Sequence, residues 1–348
     1  MTIFKTLSAD DRVSTKTLLH EAIPITASIV SGTYVDGSGN PTNIQNYTHG
    51  MFQSVYDYPY LSSSANHILD LTIGYSPISA LSSSSATQNN KKINIYNQMA
   101  QVLMGFDVTG SIQKFDQDGN ISTAGTKLNE CVFFSFSRLL TKDEIKKGSF
   151  TLQFLTGGAN TSPSDLKTIS DYGATNDYRT NSPAGEFGIL YTSSATPNTN
   201  SGVGLVYYQA GIAVLTASIF NGKFGPRSDT STATGSINTY FQTGSISGSA
   251  DGLRNRLYNI QFNNSTELNS SIYFCRANHN EFNYSSNPTY LSSGKITVKN
   301  ISTDAPVSYI TTIGLYGADQ SLLAVAKLSE PLKKSVDNEL TVRVRLDY

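Results

Sequence analysis

Short apolar runs that alternate with dense turn-forming residues constrain the fold of this chain more than any other feature. Runs such as Leu257–Phe262 and Val307–Tyr316 are bounded by Gly, Asn, Asp and Ser. This arrangement is typical of an all-β architecture, because the turns reverse the chain between segments of strand length. The sequence therefore predicts a mainly β fold, an antiparallel β-sandwich with long polar loop insertions.

The last hundred residues show the most regular strand pattern. Leu340 to Asp347 alternates apolar residues with Thr341, Arg343 and Arg345, so one face of the strand is apolar and the other is polar. Further strands are predicted at 257–262, 271–277, 295–300, 307–316 and 322–328. We expect this Leu/Val/Ala-rich sheet to provide a rigid body.

Helix signals lie mostly in the first part of the chain. Apolar residues between 92 and 105 recur at helical spacing and end at Gly105, which predicts a helix. A capping box at Thr141 to Glu144 predicts a second, short helix that runs toward Gly148. We accordingly divide the chain into a mixed α/β N-terminal docking region, residues 1–106, and a β-sandwich-like domain with long loops, residues 107–348.

Long stretches rich in Ser, Thr, Asn and Gly are predicted to be surface loops. They cover residues 78–91, 157–184, 193–203 and 226–250, and the pair Asn221-Gly222 predicts a hairpin turn after a strand at 211–220. Connections of this length are rare in a compact monomer unless they carry function or are ordered by a partner. They are a first indication of an assembly subunit.

Charge and hydropathy exclude several classes of function. The chain has 25 Lys plus Arg and 26 Asp plus Glu, with a net charge of -1, so no broad basic field is present to hold nucleic acid. No stretch approaches eighteen consecutive apolar residues and the start carries no export signal, so no membrane segment is expected. Cys131 and Cys275 lie in strand-like apolar runs and are expected to be small buried residues.

The sequence contains no convincing catalytic or metal-binding pattern. The four histidines at 20, 49, 67 and 279 are scattered without ligand spacing, and there is no GxSxG elbow or phosphate loop. The segment from Asp116 to Asn120 resembles the start of a calcium loop, but Ile121 occupies the sixth position, where Gly belongs, so a hairpin turn explains it better. We predict no enzyme, no catalytic residue, no metal and no cofactor.

Tyrosine is the distinctive residue, and it clusters in two loop-like segments, 49–60 and 281–290. Tyr combines a large contact area with a hydroxyl, which favours protein-protein contacts. The alternative of a purely structural role, in which these rings anchor loops on the domain's own core, stays open. The candidate contact residues are Phe52, Tyr56, Tyr58, Tyr60, Phe282, Tyr284 and Tyr290.

Two parts of the sequence resemble known structural proteins. The segments 274–290, 308–316, 322–331 and 342–347 resemble virion proteins of tailed phages. The opening segments 16–25 and 47–58 resemble structural proteins of T-even-like cyanophages. The two regions that contain these segments, 16–58 and 274–347, span about a third of the chain. The motifs in them are structural, so no functional residue is carried over.

The resemblance implies a subunit of the contractile-tail machinery that acts through protein-protein assembly. Among the positions in the tail, it favours the baseplate first. The expected partners are other copies of the chain and neighbouring tail or baseplate proteins, and the expected location is the virion, assembled in the host cytoplasm. A neck or head structural protein and a receptor- or glycan-binding module on the particle are the alternatives.

Overall fold

A computed structural model of the chain describes residues 4–26, 29, 34, 36–38, 41–57, 66–120, 125–159, 162–192, 201–220, 237–284, 291–292, 295–296 and 306–348. Strands make up 49% of the structure and helices 15%. The predicted mainly β class is confirmed, and the strands form a large antiparallel sheet.

The elements follow one another from strand to strand with few helices between them. The strands are β1 (Arg12–Thr26), β2 (Ile44–Asn46), β3 (Gln53–Tyr56), β4 (His67–Tyr75), β5 (Glu130–Phe136), β6 (Glu144–Ile145), β7 (Thr151–Ala159), β8 (Ser162–Ser170), β9 (Arg179–Ser182), β10 (Gly185–Tyr191), β11 (Gly202–Tyr207), β12 (Ile212–Thr216), β13 (Leu257–Ala277), β14 (Leu291–Ser292), β15 (Lys295–Ile296), β16 (Val307–Tyr316), β17 (Leu322–Ser335) and β18 (Leu340–Asp347). The helices are α1 (Asn89–Leu103), α2 (Arg138–Thr141), α3 (Ile237–Thr243) and α4 (Ile246–Arg254), with 3-10 turns at Ala9–Asp11 and Ala217–Phe220.

The large sheet has the order β1-β13-β7-β8-β10-β11-β12-β5-β4-β3-β2. Strands β6 and β18 also pair with β13, and β9 pairs with β10. Two further sheets have two strands each, β14 with β15 and β16 with β17.

The chain divides into two compact units. Unit 1 comprises residues 1–18 and 267–348, and unit 2 comprises residues 19–266. Neither boundary coincides with the division at 106/107 that the sequence suggested, and that division stays a prediction.

Unit 2 holds the hydrophobic core, which runs from Ile25 to Phe262. The rings of Phe134 on β5 and Phe154 on β7 contact each other with centroids 6.1 Å apart, and Phe136 lies 5.2 Å from Phe262 on β13. These contacts join strands that are far apart in the order of the sheet, so aromatic rings from distant strands share one core.

Helix α1 covers part of the same sheet. Gly74 on β4 lies so close to it that an added Cβ would stand 2.8 Å from the carbonyl oxygen of Lys92 and 2.9 Å from the amide nitrogen of Tyr96. The Tyr96 ring also packs edge-on against Phe115, with centroids 5.4 Å apart. The absence of a side chain at Gly74 therefore sets how closely helix and strand approach.

Several local predictions are confirmed. The helix predicted at 92–105 is α1, and the strands predicted at 307–316 and 340–347 coincide with β16 and β18. Along β18 the residues at even positions are less exposed than their neighbours, as the alternation predicted.

Other local predictions are wrong. Most of the loop predicted at 157–184 forms β8, β9 and the end of β7, because backbone ladder bonds stabilise a strand even where side chains are small and polar. The second half of the loop predicted at 226–250 forms α3 and the start of α4, whereas residues 221–236, including the predicted Asn221-Gly222 turn, lie outside the described residues.

The capping box at Thr141 to Glu144 does not begin a helix. The short helix α2 ends at Thr141, and the acidic residue of the box opens strand β6, which pairs with β13. The strands predicted at 257–262 and 271–277 are one strand, β13, because the polar residues between them also join the ladder. The strand predicted to reach residue 220 ends at Thr216 and continues as a 3-10 turn.

Candidate protein-protein interface

The first predicted contact segment lies in unit 2, around β3. Tyr56 is only 8% exposed, its hydroxyl donates to Oε1 of Gln45 at 3.2 Å, and its ring packs edge-on against His67. Phe52 is half-buried against the rings of Tyr47 and His49. The Tyr56 side chain therefore exposes little surface that a partner protein could contact. Tyr58 and Tyr60 lie outside the described residues.

The second predicted contact segment lies in unit 1. Phe282 and Tyr284 are exposed, Tyr284 by 53%, and Tyr290 lies outside the described residues. Between the two exposed rings, Asn283 is buried and donates to the carbonyl oxygen of His279 at 2.8 Å. The segment thus presents two aromatic rings from a backbone that is fixed by its own hydrogen bonds.

Beside this segment stands the hairpin of β16 and β17, which we call the arm. Its tip is a tight turn, in which the amide nitrogen of Gly317 donates to the carbonyl oxygen of Ser321 at 2.8 Å and Oδ1 of Asp319 accepts from the Ser321 hydroxyl. Antiparallel pairing runs from Val307 opposite Ser335 to Tyr316 opposite Leu322, and the register shifts between Ile310 and Thr312 and between Leu315 and Tyr316. Sequence reasoning predicted both strands but assigned them to the rigid body of the protein.

Burial divides the arm into a base and an exposed remainder. Val307, Ser308 and Lys334 are buried at the base, and no residue between 309 and 333 is buried. Full burial is therefore confined to the base of the arm, and the residues beyond the base are half-buried or exposed.

Lys334 is the anchor of the base. Its Nζ donates to Oδ1 of Asn283 and to the carbonyl oxygen of Ser335, both at 2.7 Å, and to the carbonyl oxygen of His279 at 3.2 Å. A buried ammonium with three acceptors is well satisfied, and charge-assisted hydrogen bonds are the stronger kind. The hydroxyl of Ser308 adds a further bond to the carbonyl oxygen of Phe282.

The exposed part of the arm is rich in large apolar side chains. Tyr309 is 61% exposed and Leu323 is 70% exposed, and Leu322 and Val325 are exposed as well. At the tip, the ring of Tyr316 meets Phe4 edge-on with centroids 4.9 Å apart. Exposed apolar groups that cluster on one element are typical of interaction sites.

The distribution of buried apolar residues separates the two units sharply. Among the described residues of unit 1, the buried apolar side chains are Ala277, Val307 and Val344, whereas the whole core cluster belongs to unit 2. Among the residues that the structure describes, unit 1 nevertheless carries more than half of the exposed large apolar side chains, although it has fewer than a third of those residues. Most of the large apolar side chains described in unit 1 are thus exposed or half-buried.

Strand β1 also carries exposed apolar side chains in unit 1. Val13 and Leu18 on β1 are exposed, and the strand is held beside β13 by side-chain contacts such as the ion pair of Lys16 with Glu267. A second ion pair joins Arg276 to Asp11 at 2.9 Å. Hydrogen bonds from Ser8 are the main cause that lowers the pKa of the Asp11 carboxyl.

Buried ionisable groups elsewhere hold the fold of unit 2. Asp171 accepts from the amide nitrogens of Gly148 and Phe150 and from the hydroxyl of Tyr208, and burial raises its pKa to about 6. Lys92 donates to carbonyl oxygens beside the end of α3, and burial lowers its pKa to about 8. Both groups are fully engaged with protein partners at the junctions of elements.

The described residues contain no group of three or more His, Cys, Asp or Glu side chains arranged to hold a metal ion. Asp116, which sequence reasoning weighed as a calcium ligand, pairs with Lys127 at 2.5 Å, and Gly119 in the same turn has a φ of +67°.

Burial raises the pKa of the Cys131 thiol well above its usual value. Among the helices of the described chain, none has the length and apolarity needed to cross a bilayer.

One small cavity with an empty volume of about 150 Å³ lies in unit 2. It is lined by Phe154, Ile169, Ile219, Phe220 and the stem of Lys167. It has no room for a water molecule, so it is far smaller than an ordinary small-molecule site.

Comparison of the chain with protein-family models, with curated protein sequences and with solved structures found no significant match.

Sequence reasoning missed the arm as a candidate interface, although it located both strands. A signal was available: the run from Leu322 to Ala326 is uniformly apolar and lacks the alternation of a strand with one solvated face. Such a run indicates burial on both faces, and the structure supplies no such cover within the described chain.

Proposed function

We propose that this chain is a structural subunit of a tailed-phage virion and acts through protein-protein assembly without catalysis. The position that we favour first is the baseplate of a contractile tail. The observation that carries the proposal is the arm of unit 1, anchored at its base by Lys334 and apolar and exposed beyond it. Neck, head and fibre-attachment positions in the particle are the variants of the same proposal.

The physical argument is one of free energy. Apolar surface removed from water contributes about 25 cal/mol per Å² to the stability of an assembly, before the entropic cost of association is subtracted. A chain that leaves large apolar side chains on a defined, anchored element gains this free energy only when a partner covers them. The low charge content, 15%, also limits the desolvation cost of permanent contacts.

The resemblance of segments 308–316 and 322–331 to virion proteins supports the choice of a phage particle. These two segments supply most of the arm. The arm and the resemblance thus concern the same stretch of chain.

The proposal extends to the fold, for which we keep the β-sandwich predicted for residues 107–348. The ring contacts between β5 and β7 and between β5 and β13 support it, because strands that are distant in one sheet can share a core when the sheet folds over on itself.

Lysine acetylation followed by mass spectrometry tests the function directly. Lys327 and Lys333 on the arm are exposed, so both should be modified in the purified chain and protected in virions of the phage that encodes it. Lys334 is an internal control, because it is buried and should stay unmodified in both samples. Absence of the chain from purified virions, or equal modification of the arm in both settings, would refute the proposal.

One observation favours the alternative of a glycan-binding module. His49 stacks on Tyr47 with centroids 5.1 Å apart, and both rings contact Phe52 at the end of the sheet in unit 2. Aromatic rings beside polar groups are suited to sugar faces. A glycan array with the wild type and with Phe52→Ala tests it: a hit that the substitution removes would support this function.

A further inference from the structure

We propose that strand β16 of the arm pairs antiparallel with β16 of a second copy of this chain, so that the two arms form one continuous sheet. The inference rests on the proposed function of the arm as an assembly surface and names its first partner. It is carried by the free edge of β16 and by the residues along that edge.

Within the described residues, β16 has one partner strand, β17, and its other edge is unpaired. An unpaired edge presents a row of backbone N–H and C=O groups that can accept another strand. β16 has ten residues, which is long for an edge strand, and it contains neither a charged residue nor a proline. Natural proteins usually protect such edges.

The other edge strands of unit 1 are protected in the usual ways. β17 carries Lys327, Lys333 and Pro331, and β18 carries Arg343 and Arg345. Charges at these positions repel a strand of like charge, and proline removes a donor from the ladder. β16 lacks such charges and prolines, and it remains one continuous strand across the register shift between Ile310 and Thr312 in its pairing with β17. We therefore single out its free edge as the one open to a partner.

Charge identifies the partner as a second copy. A strand without charges offers no counter-charge to a charged partner, but it can face itself without repulsion. Antiparallel self-pairing centred on Thr311 or Thr312 satisfies the two-fold symmetry of a closed dimer. Centred on Thr311, it places Tyr309 opposite Ile313 of the second copy, an aromatic and β-branched pair of the kind that stabilises sheets.

Burial agrees with this arrangement. Thr311 and Thr312 are exposed and lie in the middle of the strand, while Ile310, Ile313 and Leu315 are half-buried in the single chain. Pairing would join two hairpins into a four-stranded sheet, which is more stable than an isolated two-stranded one. It would also cover apolar side chains of both copies.

Cysteine cross-linking in the full-length chain tests the pairing. Residues that face themselves across a two-fold axis lie close enough for a disulfide, so Thr311→Cys or Thr312→Cys should give a covalent dimer on oxidation with oxygen and copper-phenanthroline. Ser329→Cys, on the exposed part of β17, is the matched control and should not. Failure of both threonine variants to cross-link would overturn the pairing.

Sedimentation of the uncross-linked chain gives a second readout. The wild type should be dimeric at micromolar concentrations, and Thr311→Lys should weaken dimerisation at least about tenfold, because two ammonium groups would meet at the axis. Ser329→Lys, which adds the same charge away from the edge, should remain dimeric. A monomeric wild type, or a Thr311→Lys variant as dimeric as the wild type, would contradict the proposal.

The outcomes separate this inference from the function on which it rests. A chain found in virions but monomeric and free of cross-links would refute the pairing and leave the virion role intact. A chain that dimerises through β16 but is absent from virions would refute the virion role instead.

Discussion

Replacement of Lys334 by methionine should release the arm from its base. Methionine has nearly the length of lysine, so it fills the same space but removes the donor to Oδ1 of Asn283 and one donor each to the carbonyl oxygens of His279 and Ser335. These two carbonyl oxygens keep the bonds from Nδ2 of Asn283 and from the amide nitrogen of Asn338. Lys334 and Asn283 are both buried, so water does not readily replace the bond between them.

The magnitude follows from the three contacts. A hydrogen bond to a charged group contributes about 1.5–3 kcal/mol, and the three bonds share one ammonium and are not additive. Part of the loss is offset because methionine is buried more readily than an ammonium. We expect the free energy of opening the arm to fall by about 3 kcal/mol, which corresponds to amide exchange about a hundredfold faster.

Hydrogen-deuterium exchange with peptide-level mass spectrometry measures this effect on residues 307–335. Lys333→Met is the matched control, because Lys333 is exposed next to the anchor, and its replacement should change exchange by less than about a factor of three. The core peptides of unit 2 provide an internal reference. If the arm exchanges at the wild-type rate in Lys334→Met, the anchoring role derived from these contacts is wrong.

Three further predictions concern unit 2. Burial raises the pKa of Asp171 to about 6, so between pH 4 and 6 the native state holds a proton that the unfolded state has lost. The stability of the wild type relative to Asp171→Asn should therefore fall by up to about 3 kcal/mol as the pH rises through this window. Urea titrations at several pH values measure this difference. The pKa of Lys92 is lowered to about 8 by burial, so between pH 8 and 10.5 the unfolded state holds the extra proton, and the stability of the wild type relative to Lys92→Met should rise with pH there; a flat difference would contradict the assignment. Gly74→Ala should cost about 1–3 kcal/mol and lower Tm in calorimetry, because its Cβ would meet backbone atoms of α1, whereas Gly37→Ala, with open space around it, should leave Tm unchanged.

Local sequence patterns determined the class of the fold and several of its elements. The turn-separated apolar runs indicated a β protein, and the periodicities at 92–105, 307–316 and 340–347 located α1, β16 and β18, because these signals depend on neighbouring residues along the chain. The same local reasoning failed at 157–184. There the ladder between β7 and β8, which includes Leu152 opposite Ile169, stabilises strands whose polar composition does not predict a strand.

Only the tertiary structure decided which apolar and aromatic residues are available to a partner. Tyr56 and Tyr284 stand in similar sequence contexts, yet one packs against His67 across the sheet and the other is exposed. Leu323 is part of an apolar run that a sequence would place in a core, and it is exposed on the arm. The physical reason is that burial depends on which distant elements pack against a residue, and a residue's own neighbours along the chain do not specify them.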